Sequence, residues 1–220
     1  MIDFSEYDKV LIGIGDAFNT RLPDNNMKEV DKLRFVSEHV DKDIVEAYKK
    51  LFDRINASDY FVVSTCTDDL IYSVCPDRSR IVSPCGGFRY VQCVDDCCHE
   101  LLEVGPQIID EGMPVCPHCN KEVVFNRLPL EHYNEGGYLE QWEAYNHWLA
   151  STVNKKLLII ELGVGMQYPS VIRFAFEKLA FFNKKSVMYR VHETLAFATE
   201  QIKDNCRCVQ GNPVEFLSNL

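Results

Sequence analysis

The sequence lacks several features that mark particular classes of protein. It has 23 Lys and Arg against 33 Asp and Glu, a net charge of −10, and no run of basic residues. Proteins that bind nucleic acid concentrate positive charge on the binding face, so this charge balance argues against a nucleic-acid partner. It does not exclude an anionic ligand, because backbone N–H groups at the start of a helix can hold phosphates.

No segment for export or membrane insertion is predicted from the sequence. The N-terminal residues MIDFSEYDK contain no basic stretch followed by an apolar one, so no signal peptide is predicted. The apolar run from Lys156 to Leu162 has the length of a buried strand, well short of the about 20 residues that span a bilayer. We therefore expect a cytoplasmic protein without a membrane partner.

What the sequence does contain is an alternation of strands and helices. Apolar runs rich in β-branched residues, bounded by turn residues, predict strands at 9–15, 59–65, 156–161, 186–191 and 207–210. Apolar residues at helical spacing predict one or two helices at 27–55 and further helices at 138–149 and 169–182. Asn212 and Pro213 predict the cap of a last helix, 214–217. This alternation predicts an α/β, Rossmann-like fold, a mostly parallel sheet with helices on both faces.

The middle of the chain differs in character from this pattern. From about Pro76 to Pro129 the apolar runs are short and turn residues are many, and helical spacing returns only near Tyr138. We therefore predict one domain, residues 1–220, that carries a small inserted module at residues 84–130.

Five of the ten cysteines lie between Cys93 and Cys119, within this insertion. In a chain without an export signal, clustered cysteines indicate a metal site rather than disulfides. Cys116 and Cys119 form one C-x2-C pair, and Cys93 with Cys98 forms the second pair, with Cys97 as the alternative to Cys98. Four thiolates close the tetrahedral shell of zinc, so a structural zinc ribbon is predicted. The histidines beside these cysteines are interpreted as bystanders.

Two glycine turns follow predicted strands, Gly13-Ile-Gly15 and Gly163-Val-Gly165. Glycine lets the backbone approach a ligand, and ligands of open α/β sheets bind at the carboxyl ends of the strands. The third glycine of the dinucleotide fingerprint is absent, since Phe18 and Asn19 stand there, and each turn alone fits equally a plain strand-ending turn. Together the two turns predict a site for NAD or ADP-ribose.

Taken in order, these motifs resemble the sirtuins, a family with a Rossmann-like NAD-binding domain and an inserted four-cysteine zinc ribbon. Residues 9–15 resemble the first strand and its glycine turn, and residues 60–69 resemble the next strand with the motif Thr-Gln-Asn-Ile-Asp. Residues 91–93, 98–99 and 161–174 resemble one branch, the macrodomain-associated microbial sirtuins. The resemblance implies NAD as the cofactor and protein ADP-ribosyl transfer or deacylation as the activity, with lipoylated carrier proteins as acceptors in that branch.

The resemblance also implies catalytic residues, some of which depart from the family pattern. They are Asp69, which is kept, Thr67, where the family has Asn, and Cys85, where the family has His or Gln before a Gly. A Cys85 thiolate would need its pKa lowered from about 8.5 by a nearby cation, for which the candidates are Arg78, Arg80 and Arg89.

The implied cofactor-binding residues come from the glycine turns, the second strand and the C-terminal strands. They are Gly13, Gly15, Asp16, Phe18, Thr65, Gly163, Val164, Gly165, His192 and Gly211. Because the family's Asn and His or Gln are replaced, a second hypothesis is a catalytically degenerate module that binds NAD or ADP-ribose without turnover. A third is a zinc-stabilised interaction protein that binds no nucleotide, which the glycine turns argue against.

Overall fold

The computed structural model describes residues 2–24 and 26–220, and its strands form two sheets. The strands are β1 (Lys9–Ile14), β2 (Tyr60–Ser64), β3 (Ile81–Val82), β4 (Gly86–Cys93), β5 (Leu101–Glu103), β6 (Val123–Arg127), β7 (Leu157–Leu162), β8 (Val187–His192) and β9 (Cys206–Gln210). The helices are α1 (Glu29–Glu38), α2 (Lys42–Ile55), α3 (Ile108–Glu111), α4 (Leu139–Ala150), α5 (Arg173–Phe182) and α6 (Pro213–Ser218).

The larger sheet has six strands in the order β3-β2-β1-β7-β8-β9, and every neighbouring pair is parallel. From β1 the chain builds outward to β2 and β3. After the small sheet it restarts at β7, on the other side of β1, and builds outward to β8 and β9. The direction of winding therefore reverses between β1 and β7, which is where open α/β sheets form a ligand crevice.

Helices cover both faces of the larger sheet, as the sequence predicted. Alternate residues of β1 point to opposite faces, with Ile12 in a core formed with α2 and α6, and Leu11 in a core formed with α4 and α5. These side chains are fully buried. The α/β class with a mostly parallel sheet is confirmed.

The smaller sheet is antiparallel, in the order β5-β4-β6, and lies between β3 and β7 in the chain. Its core includes Phe88, Val91 and Phe125, and Val36 of α1 packs into it. The side chain of Glu29, also on α1, accepts a hydrogen bond from the Phe125 amide at 2.9 Å. The sheet lies within the predicted module, 84–130, but part of its apolar core is covered by α1, which precedes the module.

The helix predictions differ from the structure in their ends. Residues 27–55 form two helices, α1 and α2, and α5 begins at Arg173 because residues 166–172 form bends and turns instead. The cap of α6 is confirmed, since the Asn212 side chain accepts from the amides of Val214 and Glu215. The longest helix, α2, has 14 residues, and none of the helices among residues 2–24 and 26–220 is long and apolar enough to cross a membrane.

Candidate functional site

A cavity of about 390 Å³ opens at the crevice between β1 and β7. The loops that follow β1, β2 and β7 form its walls, and the end of β6 closes the cavity on one side. The lining residues are Asp16, Asn19, Thr20, Arg21, Leu22, Thr65, Thr67, Arg127, Leu128, Pro129, Val164, Gly165, Gln167 and Tyr168. Five of the predicted site residues are among them: Asp16, Thr65, Thr67, Val164 and Gly165.

Hydrogen bonds tie the loops after β1 and β2 together at this cavity. The Asn19 side-chain oxygen accepts from the Thr67 amide at 3.1 Å, and the Asn19 amide group donates to the Thr67 hydroxyl at 3.4 Å. Next to this pair, the buried Asp68 carboxylate accepts from the Thr20 amide and hydroxyl at 2.7 and 2.9 Å. The Thr67 hydroxyl is therefore held in place at the cavity wall.

Arg127 brings a positive charge to the same point. It is the last residue of β6, and its guanidinium donates to the Thr67 hydroxyl at 3.3 Å while it lies 4.9 Å from the centre of the Phe88 ring. Burial lowers the pKa of Arg127, but the arginine stays charged at neutral pH. No sequence motif links Arg127 or Asn19 to Thr67, so neither residue was predicted to belong to the site.

The glycine turns adopt a different role from the predicted one. The Gly15 amide donates to the Leu162 carbonyl at 2.8 Å, the Gly163 amide to the Val191 carbonyl at 2.8 Å, and the Gly165 amide to the Asp16 carboxylate at 2.8 Å. These N–H groups are therefore already paired within the protein. A Cβ at Gly15 would lie 2.2 Å from the Gly163 carbonyl oxygen, so the glycine allows the two turns to pack against each other.

The remaining predicted cofactor residues do not line the cavity. Gly13 faces α5, where a Cβ would lie 2.6 Å from the Ile172 side chain. Phe18 is fully buried and stacks on Tyr48. The His192 ring nitrogen Nδ1 accepts from the amides of residues 194 and 195, which fixes the turn after β8. Gly211 follows β9 in an open position, with nothing within 4 Å of a Cβ built on it.

Asp69 lies on the other side of the β2–β3 loop from Thr67. It lines a second cavity, of about 600 Å³, between α1, this loop and β4. Its carboxylate accepts from the amides of Phe88 and Arg89 at 2.5 and 3.1 Å. Burial raises the pKa of Asp69 to about 6, against the lowering effect of these two N–H donors. Asp69 therefore orients β4 and does not share a cavity with Thr67.

Cys85 is fully buried and lines neither cavity. Burial raises the pKa of this thiol to about 12 and no neighbouring cation opposes that effect, so Cys85 is a neutral thiol at physiological pH. The proposed support from Arg78, Arg80 and Arg89 is not found. The three predicted catalytic residues are thus not brought into one pocket.

The cysteine cluster of the small sheet has the geometry of a metal site. The sulfurs of Cys93, Cys97, Cys116 and Cys119 all lie within 4.8 Å of one another. Three of the separations are 3.4 to 3.5 Å, close to the about 3.8 Å expected for four sulfurs at about 2.3 Å from one zinc ion. All ten cysteines are free thiols. These four could therefore hold one structural zinc.

The cluster contains Cys97 where the sequence analysis placed Cys98. Asp96 has a left-handed backbone, with φ of 50°, and its amide donates to the Cys93 carbonyl at 2.9 Å. This tight turn brings Cys97 back toward Cys93 and leaves Cys98 outside the cluster. The ligand pair is corrected to Cys93 and Cys97, the alternative that the spacing had left open.

Comparison with curated proteins finds distant relatives. No family model matches the chain. A probable bifunctional ADP-ribose hydrolase/ADP-ribosyltransferase from Fusarium oxysporum f. sp. cubense is 25% identical over 142 residues, which are 55% of this chain and 23% of that protein. A protein ADP-ribosyltransferase from Staphylococcus aureus is 20% identical over 169 residues, 70% of this chain and 54% of the relative. The chain thus spans between a quarter and about half of these relatives.

Comparison with solved structures finds the same architecture throughout the chain. A structure on the mechanism and regulation of Sir2 enzymes matches with a TM-score of 0.59 and 17% identity, covering 98% of this chain and 92% of the other. A Sir2 structure with a p53 peptide and NAD+ matches with a TM-score of 0.57 and 14% identity, covering 98% and 92%. The fold of this chain is that of the Sir2 proteins, the sirtuins.

Proposed function

We propose that this chain binds NAD in the cavity between β1 and β7 and transfers ADP-ribose from it to a protein. The observation that carries the proposal is the cluster of Asn19, Thr67 and Arg127 in a polar cavity at the point where the sheet reverses its winding. The sirtuin fold and the names of the two curated relatives support it.

The residues around the cavity suit a dinucleotide. Its volume, about 390 Å³, is in the range of pockets that hold cofactors. Arg127 offers several N–H donors, one of which reaches Thr67, and a guanidinium is well matched to a diphosphate. The exposed Asp16 carboxylate, which also lines the cavity, can accept hydrogen bonds from ribose hydroxyls. Because the glycine-turn amides are already paired, Arg127 replaces them here as the proposed phosphate-binding group.

The chemistry follows from these groups. NAD supplies an ADP-ribosyl group whose bond from ribose C1′ to the nicotinamide nitrogen breaks, with the electron pair leaving on nicotinamide, as a bond from C1′ to the acceptor forms. Thr67 and Asn19 are proposed to hold the ribose next to that bond, and Arg127 to hold the diphosphate. Cys85, a buried neutral thiol, does not accept the acceptor's proton, which passes to solvent.

The burial of Cys85 as a neutral thiol also favours transfer of ADP-ribose over deacylation. In deacylation the acyl oxygen is the acceptor, and further steps need a general base beside the ribose. Cys85 stands at the position where the family keeps its His or Gln, and burial raises the pKa of its thiol to about 12. A transferase can instead use an acceptor that brings its own nucleophile.

The acceptor is proposed to be a protein, and a lipoylated carrier protein is the first one to test because of the branch that the sequence resembles. A cytoplasmic location, where cysteine thiols stay reduced, belongs to the same proposal. The four-cysteine zinc site is proposed to be structural and to take no part in the transfer.

The test is nicotinamide release from NAD, with and without a lipoylated carrier protein, together with calorimetric binding of NAD and ADP-ribose. We expect binding by the wild type and release that depends on the acceptor. Arg127→Ala should lose binding and release. Arg89→Ala is the matched control, because Arg89 lies on the same small sheet, is exposed and is outside the cavity. Absence of binding at millimolar concentrations of both nucleotides would reject the proposal.

A second candidate function is a module that binds NAD or ADP-ribose without turnover. It is favoured by one observation, the burial of Cys85 away from both cavities. Binding that is lost in Arg127→Ala, combined with background nicotinamide release by the wild type for every acceptor, would support this function over the transferase. Cys85→Ala should leave release unchanged under either function.

A further inference from the structure

A second group of metal-binding side chains lies beside the four-cysteine cluster. The donor atoms of Cys98, Glu100 and His118 all lie within 4.8 Å of one another. The His118 ring nitrogen Nε2 is 2.9 Å from a Glu100 carboxylate oxygen. Cys98 is half-buried, whereas the other two side chains are exposed. None of the three lines either cavity or takes part in the proposed function.

The backbone separates this group from the first one. Cys97 and Cys98 are adjacent, and they are flanked by two residues with left-handed backbones, Asp96 with φ of 50° and His99 with φ of 51°. Cys97 joins the first cluster, and Cys98 instead meets Glu100 and His118. Cys98 follows Cys97 directly, and His118 lies between Cys116 and Cys119. A zinc ion bound by the first cluster would therefore fix the backbone that carries Cys98 and the backbone that carries His118.

We propose that Cys98, Glu100 and His118 bind a second zinc ion reversibly, so that this ion can leave to solvent while the protein stays folded. A thiolate, an imidazole and a carboxylate are all zinc ligands, and the sulfur and nitrogen donors disfavour magnesium and calcium. Three protein ligands leave a fourth position for water. Ligands at about 2.0 to 2.3 Å from one tetrahedral zinc ion lie about 3.3 to 3.8 Å apart. The three donor atoms lie within 4.8 Å of one another, and the exposed side chains of Glu100 and His118 are free to adjust to that spacing.

The site is expected to bind zinc less tightly than the four-cysteine cluster. The first cluster closes its shell with four sulfurs, two of them from buried cysteines. The second has three ligands and is open to water, so the ion can leave without disrupting the fold. Zinc should therefore be removed from the second site by a chelator of moderate strength that leaves the first site filled.

The experiment measures zinc content and zinc binding on the whole chain. Protein made with added zinc should contain about two zinc ions per chain, and about one after dialysis against the chelator. Titration of the dialysed protein with zinc chloride should then show uptake of one further ion. With cobalt(II) in place of zinc, that uptake should add a sulfur-to-cobalt absorption band.

The variants are chosen to separate the second site from the first. Cys98→Ser and His118→Asn should keep the first zinc and lose uptake of the second, and Glu100→Gln should weaken uptake at least about tenfold. His99→Asn is the matched control, because His99 is exposed and adjacent to Cys98 but pairs with Asp96, and asparagine tolerates its left-handed backbone. It should bind like the wild type.

Three results would overturn the proposal. One is a wild-type protein that takes up no second zinc, which would leave His118 and Glu100 as a plain hydrogen-bonded pair. Another is unchanged uptake by Cys98→Ser or His118→Asn. The last is loss of the first zinc in Cys98→Ser, which would place Cys98 in the four-cysteine cluster. None of these results decides whether the wild type binds NAD, so this proposal and the proposed function fail independently.

Discussion

The two sheets of this chain are held together in different ways. The six-stranded sheet is buried on both faces, and residues such as Ile12, Leu11 and Ile160 are fully covered by helices. The three-stranded sheet has a smaller apolar core, and two of its buried members, Cys93 and Cys116, belong to the metal cluster. Burial of apolar surface can account for the stability of the first sheet, and for the second sheet we expect bound zinc to contribute as well.

This difference has a functional consequence. The cavity between β1 and β7 draws most of its walls from loops of the larger sheet, but Arg127, Leu128 and Pro129 follow from the smaller one. The charge that we assign to the diphosphate thus comes from the sheet that carries the four-cysteine cluster. Loss of zinc is expected to remove Arg127 from the site even though no cysteine touches the cavity.

The largest effect is expected for Cys116→Ser. Removing one thiolate should release the structural zinc, whose binding free energy in small zinc domains is about 10 to 16 kcal/mol. Amide protection should then be lost in residues 86–127 and kept in β1 and β7, because the larger sheet has its own core. Hydrogen exchange and metal analysis measure the two effects.

The control for this variant is Cys208→Ser, since Cys208 is exposed and remote in sequence from the cluster. It should keep the zinc and all of the protection. If Cys116→Ser instead abolishes protection in β1 and β7, the two sheets unfold as one unit, and the contrast drawn between them is wrong.

A second prediction concerns a buried cluster of charged side chains at the larger sheet. Glu161 is buried and bonded in a bidentate manner to Arg190 at 2.8 Å, with Arg173 at 3.3 Å. Glu161→Gln would leave the buried Arg173 guanidinium without a carboxylate and Arg190 with Glu177 alone, so we expect a loss of about 3 to 5 kcal/mol in the free energy of unfolding. Urea denaturation measures it.

Glu177→Gln is the matched control for this cluster. Glu177 also bonds to Arg190, at 2.6 Å, but its side chain is 18% exposed, and Glu161 remains in place when it is changed. The cost should therefore be smaller. Equal costs for the two variants would mean that the stability of the cluster does not depend on burial of Glu161.

A third prediction uses Asp69, which connects the two sheets by accepting from the amides of Phe88 and Arg89. Because burial raises its pKa from 3.8 to about 6, the folded chain holds the proton more strongly than the unfolded chain. This contribution to stability is complete below about pH 4 and is lost as the pH rises through 6. Each pKa unit corresponds to about 1.4 kcal/mol.

Asp69→Asn removes this titration and keeps a residue that tolerates the left-handed backbone at this position, φ of 57°. The free energy of unfolding of the wild type, measured relative to the variant, should fall between pH 4 and pH 6. A difference that stays constant over this range would show that Asp69 does not titrate there.

Much of the larger sheet could be predicted from the sequence, because its information is local. Apolar runs marked β1, β2, β7 and β8, and Asn212 with Pro213 marked the start of α6. The four-cysteine spacing was also local, but the choice between Cys97 and Cys98 depends on the left-handed turn at Asp96, which the spacing does not encode.

The candidate site was predicted less completely, because it depends on contacts between distant segments. Asn19 and Arg127 both bond to Thr67, across 48 and 60 residues of chain. The second glycine turn follows β7 as predicted, but of the first one only Gly15 lies outside β1, since Gly13 belongs to the strand. The amides of Gly15 and Gly163 are paired with carbonyl groups of neighbouring strands, which becomes visible only when the strands are placed side by side. Cys85 was judged by its alignment with a family position, whereas its burial decides its chemistry.

The smallest effect is expected at the cap of α6, and it tests whether the two sheets are independent. The Asn212 side chain accepts from two backbone amides, so Asn212→Ala should cost about 1 kcal/mol and lower the melting temperature by about 2 to 4 °C. Leu217 keeps the helix docked, since it is fully buried in the core of the larger sheet, and Asn212→Ser should restore most of the loss. Costs at distant, independent sites add, so the cost should be the same in the wild type and in Cys116→Ser. A cost that changes by more than about 0.5 kcal/mol between the two backgrounds would show that the zinc-dependent sheet and the larger sheet are energetically coupled.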